Sequence, residues 1–437
     1  MKRTAMTFLS EWKNKNDRKP LVVKGARQVG KTWLLKEFGK NNFKNCRYFD
    51  FEKEKNRWTP VFANGIDPKT VLRNISLLLN EQIDPKNDLL IFDEIQNIPR
   101  AITSLKYFHD EMPEIAIISA GSLLGIILSD ESFPVGKVEF FNLRPMNFKE
   151  FLLNYGNDLL FEGYEEAWKK KATDETLHAK LTEVMREYMI TGGMPEVVGY
   201  FLNNRNEPGV FDAVRKKQKD LLNTYQADFA KHSGKNNAVH ISAVYQNVPV
   251  QLASNINDSV KRFKFKEALK GKKGYSELSG PIDWLVNAEL VIKIPICNRA
   301  ELPLKAFCKD NTFKLYYNDI GLLGAELDLP PSAILMDDYG MSKGYFMENF
   351  AAQELSHTSD RPVYAWNERT SEIEFIITEG RNIVPVEVKS GSRTKAKSLQ
   401  QYILKYNPEK ACILSGSRSF STDRNISRIP LYYAGKI

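Results

Sequence analysis

Four short runs of strand-forming residues punctuate the first third of the chain: Leu21-Val22-Val23, Cys46 to Phe51 (CRYFDF), Asn87 to Glu94 (NDLLIFDE) and Ile115 to Ser122 (IAIISAGS). The last two hold unbroken apolar stretches, the pattern of strands covered on both faces of a parallel sheet. Helical spacing separates them. Phe8, Leu9 and Trp12 share a face before the first run, Trp33 to Phe38 continue as a helix after it, and Pro99 opens a helix that includes Leu105-Lys106. Strand and helix in alternation predict an α/β core.

The pattern then changes. Leu159 to Gln226 is rich in Glu, Lys, Leu and Ala, which predicts a helical segment, broken at Gly192-Gly193-Met194-Pro195. The double glycine is either a hinge or a tight turn between helices. Ile241 to Ala253 reads as one helix around Pro249, Tyr275 to Val291 is helical after Pro281, and Leu290 to Ile296 opens a β-hairpin. Helix, helix, hairpin is winged-helix order, which suits DNA or protein partners alike. Phe313 to Leu323 is expected to pack this part together, and Pro330-Pro331 marks a boundary. Beyond it come a helix (Gly344 to Leu355), a strand (Pro362 to Asn367), paired strands (Glu372 to Thr378, Ile383 to Lys389), a helix (Lys397 to Tyr406) and closing strands at Ile413 to Ser415 and Pro430 to Tyr433. The expected domains are residues 1–158, 159–226, 227–331 and 332–437.

The paired strands have a predictable register. With Gly380-Arg381 as a two-residue turn, Glu379 faces Asn382, Glu374 lies opposite Glu387, and Glu372 opposite Lys389. Alternation puts all four on one face. Like charges directly opposite repel, so that face needs a cation, either Lys389 or a bound Mg²⁺.

A chain of 437 residues exceeds one core and predicts two to four domains. Its 42% hydrophobic and 27% charged residues are ordinary for a globular protein. Cys46, Cys297, Cys308 and Cys412 show no C-x-x-C spacing, against a zinc site or disulfide framework and in favour of a reducing compartment. The opening MKRTAMTFLSEWKNK lacks a signal-peptide core, and Ile115 to Leu128 is too short and broken to span a bilayer. A cytoplasmic protein without membrane contact is expected. The net charge of +8 permits nucleic-acid binding without requiring it. Lys261 to Lys273 (KRFKFKEALKGKK) is the densest basic patch. There, Phe263 and Phe265 either stack on bases or turn into a core.

Candidate chemistry concentrates between the first strand and the first full helix. Gly25-Ala26-Arg27-Gln28-Val29-Gly30-Lys31-Thr32 fits G-x-x-x-x-G-K-[ST]. Such a loop turns backbone N–H groups toward a polyphosphate, with Lys31 on the β- and γ-phosphates and Thr32 on Mg²⁺. Asp93 and Glu94 close NDLLIFDE, where parallel strands present ligand-binding residues. Asp93 is the candidate for the Mg²⁺ shell through water, and Glu94 for polarising the attacking water. Ser119 or Ser122 is a candidate sensor of the γ-phosphate or merely a helix cap. Lys137 and Arg144 are the candidate catalytic cations, in the same subunit or across an interface.

GARQVGKT, LLIFDEIQ, AGSLLG and FPVGKVEFFNLRPMNFKEFL, with GGMPEVV and YQADFAKH further on, resemble a family of prokaryotic AAA-type ATPases that carry a C-terminal domain of uncharacterised function. The resemblance implies a P-loop ATPase core, ATP rather than GTP, a helical lid after the core, and the ring assembly common among related ATPases. Lys137 stands where relatives often carry arginine. Glu374 and Glu387-x-Lys389, with Glu348 on a preceding helix, resemble the PD-(D/E)xK nuclease core, although its first position is usually aspartate. That resemblance implies carboxylates on Mg²⁺ and a lysine positioning water. The alternative is an inherited fold that keeps a salt-bridged carboxylate face. Three functions stay open: an ATP-hydrolysing switch, an ATP-regulated protein that binds or cuts DNA, and a nucleotide-dependent scaffold with little turnover.

Overall fold

The strand-forming runs of the first third become parallel strands. In a computed structural model, which describes residues 1–121, 134, 136–254, 262–269, 271, 274–340, 342–358, 361–369, 371–390, 396–418 and 420–437, contacts divide the chain into two units. One comprises residues 3–144 and 287–289, the other residues 1–2, 145–286 and 290–437.

The first unit holds β1 (Leu21–Lys24), β2 (Asn45–Asp50), β3 (Asp88–Asp93), β4 (Ala116–Ala120) and β5 (Glu139–Asn142), all parallel, in the order β2-β3-β4-β1-β5. Side-chain alternation explains why β3 is apolar throughout. Leu89 and Ile91 enter one core with Leu9, Trp12, Leu34 and Phe38. Leu90 and Phe92 enter another with Phe49, Trp58, Phe62 and Leu105. Each such side chain removed from water contributes about 1.5–3 kcal/mol. No strand is expected from the sequence at β5. It lies at the sheet edge with Phe140 exposed, so an unbroken apolar run is not required of it.

The second unit begins with helices. Asp158–Lys170 and Glu175–Thr191 start at Asn157 and Asp174, whose side chains accept from the N–H groups of Leu160 and Leu177 at 3.0 and 2.9 Å. Pro195–Asn204, Val210–Ser233 and Lys235–Ser254 follow, the last with Pro249 inside. The double glycine is a tight turn. A Cβ on Gly193 would lie 2.0 Å from Met146 O, and one on Gly192 2.1 Å from Asp319 Oδ1. Gly193 N donates to Asp319 Oδ2 at 2.6 Å, while Gly193 O accepts from Met146 N at 2.8 Å.

An eight-stranded mixed sheet completes this unit: β6 (Val291–Cys297), β7 (Cys308–Tyr317), β8 (Tyr364–Glu368), β9 (Ser371–Glu379), β10 (Asn382–Lys389), β11 (Ala411–Ser415), β12 (Ser421–Asp423) and β13 (Ile426–Pro430). Their order is β12-β13-β11-β10-β9-β8-β6-β7. The expected hairpin is present as β6 and β7, yet β6 also pairs in parallel with β8, at Ile296↔Ala365 and Cys297↔Trp366. One sheet therefore crosses the boundary expected at residue 331, because β8 covers a strand edge that a separate hairpin would leave open. The last strand is Ile426–Pro430 rather than Pro430 to Tyr433. The tyrosines lie in a 3₁₀ helix (Leu431–Lys436), where Tyr433 stacks on Tyr164 with ring centroids 4.6 Å apart.

Among the described residues no helix is long and apolar enough to cross a membrane. Within the basic patch, Phe263 is buried, stacked on Phe313 at 6.0 Å, and its N–H donates to Phe313 O. That is the core placement rather than a base-stacking one. Lys261, Lys270, Lys272 and Lys273 lie outside the described residues.

Candidate functional site

The candidate cradle begins where β1 ends. Gly25 must be glycine: a Cβ there would sit 2.3 Å from Leu143 O, just past β5. Gln28 (φ 65°) and Gly30 (φ 91°) take left-handed conformations, and the helix Lys31–Asn42 starts immediately. The loop thus ends at a helix N-terminus, whose free N–H groups and dipole favour an anion. Lys31 is only 6% exposed, and its Nζ donates to Gly25 O at 2.8 Å and Ala26 O at 3.0 Å. Burial pulls this ammonium's pKa down, while Glu94 and Asp93 push it back up. A buried ammonium held by two carbonyls fits an incoming phosphate, which supplies the opposite charge.

Asp93 ends β3 beside this cradle. It is 3% exposed; Oδ2 accepts from Thr32 Oγ1 at 2.6 Å and from Tyr48 OH at 3.0 Å, and Oδ1 from Glu94 N at 3.1 Å. Glu94 follows in a left-handed conformation (φ 50°), with Oε2 accepting from Gln96 Nε2 at 2.5 Å. A hydroxyl and a carboxylate in contact at the end of a P-loop strand form a donor set suited to Mg²⁺, which prefers oxygen ligands and keeps several waters. Sequence reasoning missed Tyr48 and Gln96. Tyr48 comes from β2, whose pairing of Asp50 with Asp93 brings the two strand ends together. Burial, then Asp93, pushes the Tyr48 phenol's pKa up, so it stays a donor, and Lys36 lies 3.5 Å over its ring.

The remaining candidates separate. Lys137 requires a correction. β5 pairs Glu139 with Leu21 and Asn142 with Lys24, so Lys137 precedes the strand starts, at the end of the sheet opposite the cradle. Its ammonium pairs with Asp110 at 2.7 Å. A role at its own chain's cradle is therefore closed to it. Arg144 instead follows β5 on the cradle side, half-buried, its carbonyl accepting from the Arg3 guanidinium at 2.6 Å. Ser119 lies in mid-strand and donates to Leu21 O at 3.2 Å, so it neither senses a phosphate nor caps a helix. Ser122 lies outside the described residues.

The second candidate site lies in the other unit. β9 and β10 pair Asn382↔Glu379 through Val386↔Phe375, the register expected from the turn. Glu348 comes from the helix Ser342–His357 and is 6% exposed. Its Oε1 accepts from Tyr316 OH at 2.6 Å and from Lys314 Nζ at 3.0 Å. Lys314 also pairs with Glu372, Lys389 pairs with Glu387, and Val388 N donates to Glu374 Oε2 at 3.4 Å. Glu348, Glu374, Lys314 and Lys389 line one cavity of about 230 Å³, together with Arg262 and Tyr345. Burial, with Glu387 and Glu348 nearby, pushes the Glu374 carboxyl's pKa well above its usual range. Burial opposes the charge on Lys314, yet Glu348 and Glu372 outweigh it and hold its pKa high. Lys314 is the member the sequence did not suggest. Among the described residues no group of three or more His, Cys, Asp or Glu side chains is disposed to hold a metal ion.

Family comparison matches residues 17–152 to an AAA domain, residues 182–333 to a domain of unknown function (DUF8612) and residues 343–434 to another (DUF4143). No curated protein matches the chain. Solved structures that resemble it include AMPPCP-bound DnaA from Aquifex aeolicus, at 15% identity over 64% of this chain and 86% of that one, with a TM-score of 0.31. Another is the Aeropyrum pernix ORC1 protein in complex with DNA, at 11% identity over 76% and 92%, with a TM-score of 0.28. A third is the Thermotoga maritima RuvB Holliday junction branch migration motor, at 14% identity over 67% and 88%, with a TM-score of 0.27. Such distant likeness carries nothing about ligands or partners. With a parallel five-stranded sheet and a glycine-lined loop, the segment 17–152 has a P-loop nucleotide-binding fold, and the same residues match an AAA domain.

Proposed function

We propose that this AAA-type domain binds ATP with Mg²⁺ and hydrolyses it. The observation that carries this is the 2.6 Å contact from Thr32 Oγ1 to Asp93 Oδ2 beside the buried Lys31 ammonium. Gly25 to Thr32 would wrap the phosphates, and Lys31 would exchange its carbonyl partners for phosphate oxygens. Thr32, and Asp93 through water, would hold Mg²⁺, which when bound neutralises phosphate charge and polarises the γ-phosphoryl group. Glu94, steadied by Gln96, would orient the attacking water. Arg144, which follows β5 on the cradle side, would approach the phosphates. The preference for adenine rests on the family resemblance.

Hydrolysis would drive a conformational change in residues 145–437. Support for this second step is that the AAA match ends at residue 152, leaving two further matched domains without an assigned activity. A DNA or protein client and a homo-oligomer stay within this proposal as partners.

The test is steady-state ATP turnover with and without DNA, with molecular mass measured in both conditions. Glu94→Gln should bind ATP while turnover falls at least ~100-fold, and Lys31→Ala should lose binding. A Glu94→Gln protein as fast as the parent sinks the mechanism. ATP binding with no turnover in the parent, alone or with DNA, favours the scaffold alternative. Limited proteolysis in ATP and ADP reads the switch; identical patterns count against it.

A further inference from the structure

The carboxylate cluster of the second unit poses a charge problem that the P-loop site does not address. Glu348 and Glu374 line one cavity, Glu372 and Glu387 pair with its Lys314 and Lys389, and such a cluster persists only if cations or protons offset its repulsion. In the nuclease core that it resembles, a divalent metal would do this. Here the protein supplies its own cation. Lys314 Nζ lies 3.0 Å from Glu348 Oε1 and also pairs with Glu372, with its side chain 4% exposed. Glu348 Oε1 is further occupied by Tyr316 OH at 2.6 Å. Lys389 takes Glu387 Oε1, and Glu374 Oε2 faces the backbone N–H of Val388 at 3.4 Å. One oxygen of each of the four glutamates therefore already faces a protein donor. Glu387 Oε2 is buried without a hydrogen-bond donor among the described residues. Mg²⁺, which needs roughly six oxygen ligands, would have to take these carboxylates from two ammonium groups.

We propose that Lys314 is a built-in cation that takes the place of a divalent metal in this pocket, so that the cluster binds no Mg²⁺ and performs no metal-assisted cleavage of phosphodiesters. Lysine suits the task as a compact point charge with three donors, enough to serve two carboxylates at once. It arrives from β7, the far edge strand of the sheet, whereas Glu372 and Glu374 lie on β9 and Glu387 on β10. The β6-β7 hairpin thus completes the pocket, which gives a chemical reason for one sheet to run across the expected domain boundary.

The test uses the full chain without nucleotide, so its outcome does not depend on the ATPase proposal. Mn²⁺ is titrated and free ion is read by electron paramagnetic resonance. The parent should leave Mn²⁺ free. Lys314→Ala, which vacates the centre of the cluster, should gain stoichiometric Mn²⁺ binding that Glu374→Gln then removes. Parent protein that binds Mn²⁺ in a Glu374-dependent way overturns the proposal, as does a folded Lys314→Ala protein that gains no binding. If Lys314→Ala fails to fold, Lys314→Met keeps the apolar stem and serves as the second variant. Independently, the parent's melting temperature should be the same in EDTA and in Mn²⁺. A Mn²⁺-induced rise that Glu374→Gln abolishes would also overturn the proposal.

Discussion

Thr32 and Asp93, 61 residues apart in sequence, are joined by a 2.6 Å hydrogen bond from hydroxyl to carboxylate. The bond locates the end of β3 against the start of the helix Lys31–Asn42, and it predicts a shared metal dependence. Thr32→Val and Asp93→Asn should each raise the Mg²⁺ concentration needed for half-maximal ATP turnover, by roughly tenfold or more, as expected when an oxygen ligand or its charge is removed. Because the two act on one ion, the double variant should be less impaired than the product of the single effects. Independent, multiplicative losses would show that the contact is incidental.

Tyr48 supports the same carboxylate from β2, with its OH 3.0 Å from Asp93 Oδ2. Tyr48→Phe removes one donor and keeps the ring beneath Lys36. A lost hydrogen bond to a charged group is worth about 1.5–3 kcal/mol, so the Mg²⁺ requirement should rise by roughly ten- to a hundredfold while nucleotide binding without metal stays unchanged. Isothermal titration with ATP, with and without Mg²⁺, separates the two.

Local rules were enough for some of this structure and insufficient for the rest. The Gly380-Arg381 turn fixed the β9–β10 register because a two-residue loop leaves no freedom in strand parity, and Gly380 adopts φ 62°. GARQVGKT and NDLLIFDE were legible because phosphate chemistry constrains consecutive residues. Long-range partners were not. Lys314 reads from sequence as a stray charge in FKLYYND, and only the fold brings it to Glu348 and Glu372. Lys137 failed for a related reason: which end of β5 faces the cradle follows from parallel pairing with β1, not from the residues around the lysine.

That placement of Lys137 can be tested against Arg144. Lys137→Ala breaks an exposed pair with Asp110, a type of contact that solvent screens. Its ATP turnover per chain should stay within about twofold of the parent, whereas Arg144→Ala should lose at least ~10-fold if the cation stabilises the transferring phosphoryl group. A large loss in Lys137→Ala that appears only above a threshold protein concentration would instead assign the lysine to a neighbouring subunit's site.

The Gly192-Gly193 turn should tolerate no side chain. At Gly193 a methyl group would lie 2.0 Å from Met146 O, inside any allowed contact, and the backbone there exchanges hydrogen bonds with Met146 and Asp319. Gly193→Ala is expected to cost roughly 2–4 kcal/mol through displaced backbone, measured by denaturant unfolding. A hinge that opens during the ATP cycle would predict the reverse pattern, near-parental stability with altered turnover.

Glu354 gives the second unit a pH dependence whose sign can be fixed in advance. Burial pushes its carboxyl up to about 8, against the pull of the Phe148 N–H, which donates to Oε1 at 2.9 Å; Glu150 adds like-charge repulsion, and a hydrogen bond with Tyr188 pulls the value down. The ordinary value is 4.5. Between the two, the folded state holds a proton that the unfolded chain has released, so this group's contribution to stability falls as pH rises through that window. The limiting slope is about 1.4 kcal/mol per pH unit. Asp319, pushed up to about 6 by burial, adds the same sign at lower pH. Thermal unfolding should therefore give a higher midpoint near pH 6 than near pH 8. Glu354→Gln, which mimics the protonated carboxyl, should flatten the difference by stabilising the protein mainly at the higher pH. A variant whose pH profile parallels the parent's would show that Glu354 is already ionised in the folded protein.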